Sequence, residues 1–327
     1  MKTKQLGASD LKVPVIGLGC MVLPGFYGPG SDEDAIATLQ RAAEIGVNFL
    51  DSSDLYGAGE NEKLIGRAIA GHRDDYIVAT KFGNVRTADG KPGVNGRPEY
   101  VQQACEASLK RLGIEVIDLY YQHRVDTTVP IEETVGAMAR LIEQGKVRHL
   151  GLSEAAEETV RRAHATHPIT ALQTEYSLWS RDVESQILPL TAELGIAFVA
   201  YSPLGRGMFG GDVTGPDSLP EGDRRRDHPR FQGENLARNL ELVEPVRELG
   251  AARGCTTAQI ALAWLLSRAD NVFAIPGTRR IKHLEANAAA AEITLTADEI
   301  SRLDEAISPG AAQGTRYPAG QMAVLNR

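Results

Sequence analysis

Cysteine is scarce in this chain: Cys20, Cys105 and Cys255 are the only three among 327 residues, widely spaced and odd in number. They form neither a CxxC pair nor a disulfide ladder, so a reducing cytoplasm is the expected setting. The seven histidines show no HxH or HExxH spacing. A metal-dependent hydrolase therefore has no obvious ligand cluster, and no metal is expected. Positive charge is short as well: the net charge is -8, and the basic residues are dispersed apart from Arg224, Arg225 and Arg226. That lacks the footprint of a nucleic-acid partner. Long apolar runs are missing too. The opening residues have no signal-peptide stretch, and runs such as Ile260–Leu266 are too short to span a bilayer, so no membrane partner is expected.

What is present is 43% hydrophobic and 24% charged, the composition of a globular enzyme with a large core. Short β-rich apolar runs alternate with longer stretches of helical period, the pattern of a parallel sheet with crossover helices. Eight candidate strands follow: Val15–Leu18, Val47–Leu50, Ile77–Thr80, Ile117–Tyr121, Val147–Leu152, Ala171–Thr174, Ala197–Tyr201 and Val272–Ile275. The fold class is α/β, a (β/α)8 TIM barrel, with no composition break to divide residues 1–327 into two domains.

Helix ends are readable. Ser31 to Asp34 predicts a capping box, Ile131–Glu143 stops before Gly145, and Glu184–Leu194 stops before Gly195. Ile281–Ala291 precedes a second capping box at Thr296, which opens an extra helix, Ala297–Ile307. Gln5 to Val13 reads as a hairpin plugging the N-terminal end of the barrel. A long connection from Gly205 to about Gly233 leaves the C-terminal side of a strand and reads as a lid, and the tail from Pro309 to Arg327 can fold over the same mouth.

Barrel chemistry collects at the C-terminal strand ends. Those ends deliver Asp51 with Tyr56 behind it, Lys81, His123, Ser153 with Glu154, Gln173, Tyr201 with Ser202, and Pro276, Gly277 and Thr278. Taken singly, Asp51 reads as a cap, His123 as a hydrogen-bonded structural residue and Lys81 as a side chain reaching solvent. A lysine ending an apolar strand nevertheless needs a carboxylate, and Asp51 on the neighbouring strand is the natural partner.

In order and strand context, Asp51, Tyr56, Lys81 and His123 resemble the catalytic tetrad of the aldo-keto reductases. The surrounding segments Val47–Gly57, Leu119–Arg124, Gly145–Ser153 and Ile275–Thr278 are similar to that family too, in a bacterial-type branch resembling the potassium-channel β-subunit-like members. The resemblance implies reduction of an aldehyde or ketone by hydride from NADPH. Tyr56 would be the proton donor, His123 would orient the carbonyl, and Asp51 would hold Lys81 in place. A phenol has an ordinary pKa of about 10, and the Lys81 ammonium is expected to lower it.

For the cofactor, the resemblance implies that Ser153 and Gln173 meet the nicotinamide carboxamide, with Tyr201 stacked on the ring. The backbone at Cys20 and Met21 would approach it. Ser202, Leu204, Gly205 and Gly207 would reach the pyrophosphate. Ile275, Gly277, Thr278, Arg279 and His283 would surround the 2′-phosphate end, and Asn287 would meet the adenine. Two departures stand out. Glu154 occupies a position where many members carry Asn, leaving it a possible nicotinamide contact, and Ala286 stands where Glu is usual.

Gly205, Gly207 and Gly210 satisfy GxGxxG, but Gly211 to Pro216 cannot open the helix that a Rossmann turn requires. Schiff-base chemistry at Lys81 is a rival reading, opposed by Asp51, which should keep the amine protonated. A non-enzymatic channel subunit is another, without a docking segment to support it. Trp179, Phe26 and Tyr27 suggest a partly aromatic pocket for a small aldehyde. Arg124, directly after His123, is expected to make a structural salt bridge rather than attract an anionic substrate.

Overall fold

The computed structural model describes residues 1–23, 31–87, 90–322 and 325–326. Phe26 and Tyr27 lie outside the described residues. In chain order the strands are β1 (Thr3–Gln5), β2 (Lys12–Pro14), β3 (Leu18–Gly19), β4 (Phe49–Asp51), β5 (Ile77–Phe82), β6 (Asn84–Arg86), β7 (Pro92–Val94), β8 (Ile117–Gln122), β9 (Val147–Ser153), β10 (Ala171–Glu175), β11 (Ala197–Tyr201) and β12 (Val272–Ala274). One sheet of eight strands runs β3-β4-β5-β8-β9-β10-β11-β12. All its pairs are parallel.

A parallel bridge between Ile16 and Ala274 joins the two ends of that sheet, with Gly17 N–H donating to the Ala274 carbonyl at 2.8 Å and Ala274 N–H to the Val15 carbonyl at 2.9 Å. The sheet thus closes into the expected (β/α)8 barrel. Strands such as β12 are buried along their whole length, which explains why they read as continuous apolar runs rather than alternating ones. Inside the barrel the Tyr121 ring fills the space in front of Gly151, where an added Cβ would lie 2.3 Å from the ring.

The first barrel strand is Leu18–Gly19 rather than Val15–Leu18, because Val15–Gly17 make the closing contacts with β12. β5, β8, β9 and β10 run one or two residues beyond their apolar stretches, so Lys81, Gln122, Ser153 and Glu175 are strand residues. Apolar patterning cannot register these, since polar groups continue the backbone ladder as readily as valines do.

β1 and β2 pair antiparallel and place Leu6 and Val13 in the core. Gly7, at φ +57, turns so tightly against the barrel floor that a Cβ would meet the Thr170 carbonyl at 2.5 Å. Helices cover the outside, among them Asp32–Glu44, Ile131–Glu143, Ile187–Glu193, Ile281–Ala289 and Ala297–Ala306. The Thr296 capping box is complete. At Ser31 the hydroxyl accepts from Asp34 N–H at 3.0 Å. Glu184 belongs to a short 3-10 turn ahead of Ile187, not to the helix. The β6–β7 ribbon has no counterpart in the expected pattern. No helix among the described residues is long and apolar enough to cross a membrane, and no group of three or more His, Cys, Asp or Glu among them could hold a metal ion.

Candidate active site

Asp51 closes β4 and Lys81 lies near the end of β5, both buried. The Lys81 ammonium donates to the Asp51 carboxylate and, at 2.7 Å, to the Ser52 carbonyl. Gln173, from β10, donates to the other Asp51 oxygen at 2.7 Å. Both carboxylate oxygens therefore have donors, which a buried anion requires. Burial works to lower the Lys81 pKa, but the charge of Asp51, the Tyr56 phenol and hydrogen bonds to both outweigh it and hold the amine above its ordinary value. It is an ammonium at neutral pH.

Tyr56 sits in the turn after β4, where Gly57, Ala58 and Gly59 take φ values of 59, 53 and 92° before the helix Glu60–Ile69 begins. The turn brings its ring within 5.3 Å of Lys81 Nζ. Lys81 does pull the Tyr56 pKa down, as expected, but the net shift is upward, against the expected fall toward neutrality. Withdrawal of the phenol from water is the largest influence and raises it, Asp51 raises it further, and the Lys81 charge and hydrogen bond offset only part. His123 follows β8 and meets Tyr56 edge to face, with ring centroids 5.9 Å apart. Burial, then Arg124 and Lys81, hold the imidazole well below its ordinary pKa, so it is neutral. Its Nδ1 lies 3.0 Å from the Ser53 hydroxyl.

The residues expected to hold a cofactor lie at the ends of β3 and β9–β12. Ser153 and Gln173 are buried and Tyr201 is half-buried. Cys20 and Met21 form a 3-10 turn directly after β3, and the Cys20 carbonyl accepts from Asn61 at 2.8 Å. Gly19 and Gly277 pack so closely that a Cβ on Gly277 would lie 3.0 Å from the Gly19 carbonyl. Ile275 and Thr278 are buried. Thr278 Oγ1 accepts from Arg280 N–H at 3.1 Å, and Thr38 donates to the Arg279 carbonyl at 3.2 Å. Arg280 caps the helix Ile281–Ala289 without a side-chain bond. His283 and Asn287 are one turn apart on that helix, so they share a face.

Ser202, at φ +48, and Gly205, at φ +57, shape the turn after β11. Leu204 precedes the 3-10 run Gly205–Gly210, which is not the helix of a dinucleotide fingerprint. A Cβ on Gly207 would meet the Arg225 guanidinium at 2.9 Å. Ala58, Glu154, Ser202 and Arg206 are the non-glycine residues with positive φ among those described. All four lie in connections leaving the C-terminal strand ends, where backbone strain collects around functional sites.

Beyond the strand ends the loop 205–233 and the tail interlock. The Glu154 carboxylate accepts from Arg316 at 3.1 Å on each oxygen, from the Tyr201 hydroxyl at 2.9 Å and from Glu175 N–H at 3.0 Å. Those four hydrogen bonds turn the Glu154 carboxylate toward the tail and the end of β10. Glu175 pairs with Arg206 at 2.9 Å and Arg230 at 3.5 Å. Tyr317 shares a hydrogen bond of 2.9 Å with Tyr201. Trp179 is buried between Phe209 and Phe231, under the Arg230 guanidinium, so it packs against the loop 205–233.

Arg124 also departs from expectation. Its Nη1 donates to the His123 carbonyl at 2.7 Å and the Ser153 hydroxyl at 3.3 Å, and no ion pair joins it to a carboxylate among the described residues. Sequence reasoning missed Ser53, Asn61, Glu175, Arg316 and Tyr317. Ser53 and Asn61 were within reach, as polar residues beside Asp51 and at the start of the following helix. Nothing local marks Arg316 or Tyr317.

A model of the Aldo/keto reductase family matches residues 15–308. A relative named "Probable aldo-keto reductase 1", from Glycine max, is 46% identical over 97% of this chain and 92% of its own length. Among solved structures, a glycerol dehydrogenase from Gluconobacter oxydans superposes with a TM-score of 0.85 at 28% identity, covering 97% of both chains. An aldo/keto reductase from Klebsiella pneumoniae, solved with NADP and acetate, gives 0.73 at 27% identity over 97% of this chain and 99% of its own.

Proposed function

Since the chain belongs to the aldo/keto reductase family, we propose that it reduces aldehydes or ketones to alcohols with NADPH, as a single-domain enzyme of the cytoplasm. The observation that carries this reading is the Lys81 ammonium, held by Asp51 and placed against the Tyr56 phenol. When bound, the reduced nicotinamide supplies the hydride. The residues around it fit such a group. Paired glycines at 19 and 277 leave room for close approach, a capless helix start follows Arg279 and Arg280, and Arg225 backs the Gly207 turn. NADP in the Klebsiella pneumoniae relative supports the same choice.

Tyr56 donates the proton to the carbonyl oxygen. A raised pKa keeps the phenol loaded at neutral pH, and Lys81 stabilises the phenolate left behind. His123 is neutral, and in the tautomer that accepts from Ser53 at Nδ1 the ring proton sits on Nε2, ready to hydrogen-bond the carbonyl. Gln173 and Ser52 fix the Asp51–Lys81 pair. A Schiff base at Lys81 is disfavoured, because the amine would first have to lose its proton. Small aldehydes are the proposed substrate class.

The test is loss of reduced-nicotinamide absorbance on adding an aromatic aldehyde, with NADPH and NADH compared. Turnover with NADPH is expected, and Arg279→Ala should weaken NADPH binding far more than NADH binding. Equal losses would undo the 2′-phosphate assignment.

A further inference from the structure

We propose that Arg124 is a specificity residue that binds a carboxylate on the carbonyl substrate, so that the enzyme favours short oxo acids and carboxylated aldehydes over neutral ones. This rests on the reductase reading above. Four arginines gather at the barrel mouth, and three have carboxylates: Arg206 and Arg230 share Glu175, and Arg316 holds Glu154. Arg124 has none among the described residues. Its two hydrogen bonds both leave from Nη1, so Nε and Nη2 offer three N–H groups without a partner among the described residues. The acid acting on Arg124 is Glu154, whose carboxylate is taken up by Arg316, so this half-buried guanidinium has no carboxylate paired with it directly and presents a face matched to an anion with two oxygens.

Position decides which anion. Arg124 follows His123 directly, and its charge acts on both the His123 imidazole and the Tyr56 phenol. A carbonyl oxygen held by Tyr56 and His123 therefore places the rest of a small substrate beside the guanidinium. The cofactor phosphates belong elsewhere, at the ends of β11 and β12. β9 and β10 lie between β8 and β11 in the sheet, so those turns leave different strands from the one that carries Arg124. The carboxylate is unchanged in the reaction; hydride and proton add to the carbonyl as before.

The experiment compares 4-carboxybenzaldehyde with its methyl ester at saturating NADPH, in the native protein and in Arg124→Met and Arg124→Lys. The native protein is expected to favour the acid at least tenfold in kcat/KM. Arg124→Met should bring that ratio near one, chiefly through a higher KM for the acid, and Arg124→Lys should keep part of it. A ratio of two rates is insensitive to general damage to the fold. In parallel, 4-(hydroxymethyl)benzoate and its methyl ester are titrated against the NADP-loaded protein, which reads anion binding without turnover. Absence of turnover with both aldehydes would strike the reductase reading, while Arg124-dependent binding of the benzoate would still support the anion site. An acid-to-ester ratio or a benzoate affinity unmoved by Arg124→Met would overturn the proposal, as would a variant whose only defect is weaker NADPH binding.

Discussion

Arg316 grips both oxygens of Glu154 at 3.1 Å, a buried ion pair joining the C-terminal tail to the end of β9 across 162 positions of sequence. It fixes the tail over the strand ends and, through Tyr317 and Tyr201, over the site of the proposed nicotinamide. Breaking one side of such a pair leaves a buried charge alone, at a cost of about 3–5 kcal/mol. Arg316→Met should lower stability by that order in urea denaturation. The double variant Glu154→Gln with Arg316→Met should recover part of the loss; strict additivity would mean the pair is not a unit.

Between about pH 6.5 and 9 the rate of reduction should carry no step from Lys81, Tyr56 or His123; a step near 7 would belong to Asp54, whose burial pushes its carboxyl up to about 7. Lys81 is held above its ordinary pKa, Tyr56 above about 10 and His123 well below 6.5, so none of them changes charge in that window. An acid limb centred near 6.5 in kcat that persists in Asp54→Asn would show that His123 titrates as it does in water. Stability carries the matching sign. The unfolded chain takes up the His123 proton more readily, so this residue's contribution is full above about pH 6.5 and declines as pH falls toward the folded value. The His123→Asn variant should lose that part of the acid sensitivity.

Gly205 holds the loop 205–233 down by what it lacks. At φ +57 it lies against Trp179, and an added Cβ would be 2.7 Å from the indole. Gly205→Ala is expected to cost about 1–3 kcal/mol through overpacking, and to weaken NADPH binding by displacing the turn from Ser202 to Gly207. A variant with native denaturation and native cofactor affinity would remove the base of that loop from the cofactor account.

How much of this was legible in the sequence depends on what each residue answers to. Asp51, Lys81 and His123 were visible because barrel strands deliver side chains to one face, and a buried lysine demands an acid. The eight strands were visible through apolar patterning, which also explains the error at β3: Val15 and Ile16 are core residues, but their pairing is the closing contact with β12. Glu154 and Arg316 were not legible as a pair, since each is polar in a loop and only the closed mouth brings them together. The Tyr56 pKa went the wrong way because the sequence announces a nearby ammonium but not how thoroughly the phenol is withdrawn from water. The packing of Trp179 was hidden for the same reason; its neighbours Phe209 and Phe231 come from the loop 205–233.

The central claim is that Tyr56 delivers the proton from a site built to keep it loaded. The most direct measurement is NADPH-dependent turnover of an aromatic aldehyde by the native protein and by Tyr56→Phe, with NADPH affinity measured for both by fluorescence titration. The account predicts turnover in the native protein, a loss of at least about 100-fold in the variant, the lower end of what general acid catalysis contributes, and nearly equal NADPH affinities. A variant that keeps most of its turnover would contradict it.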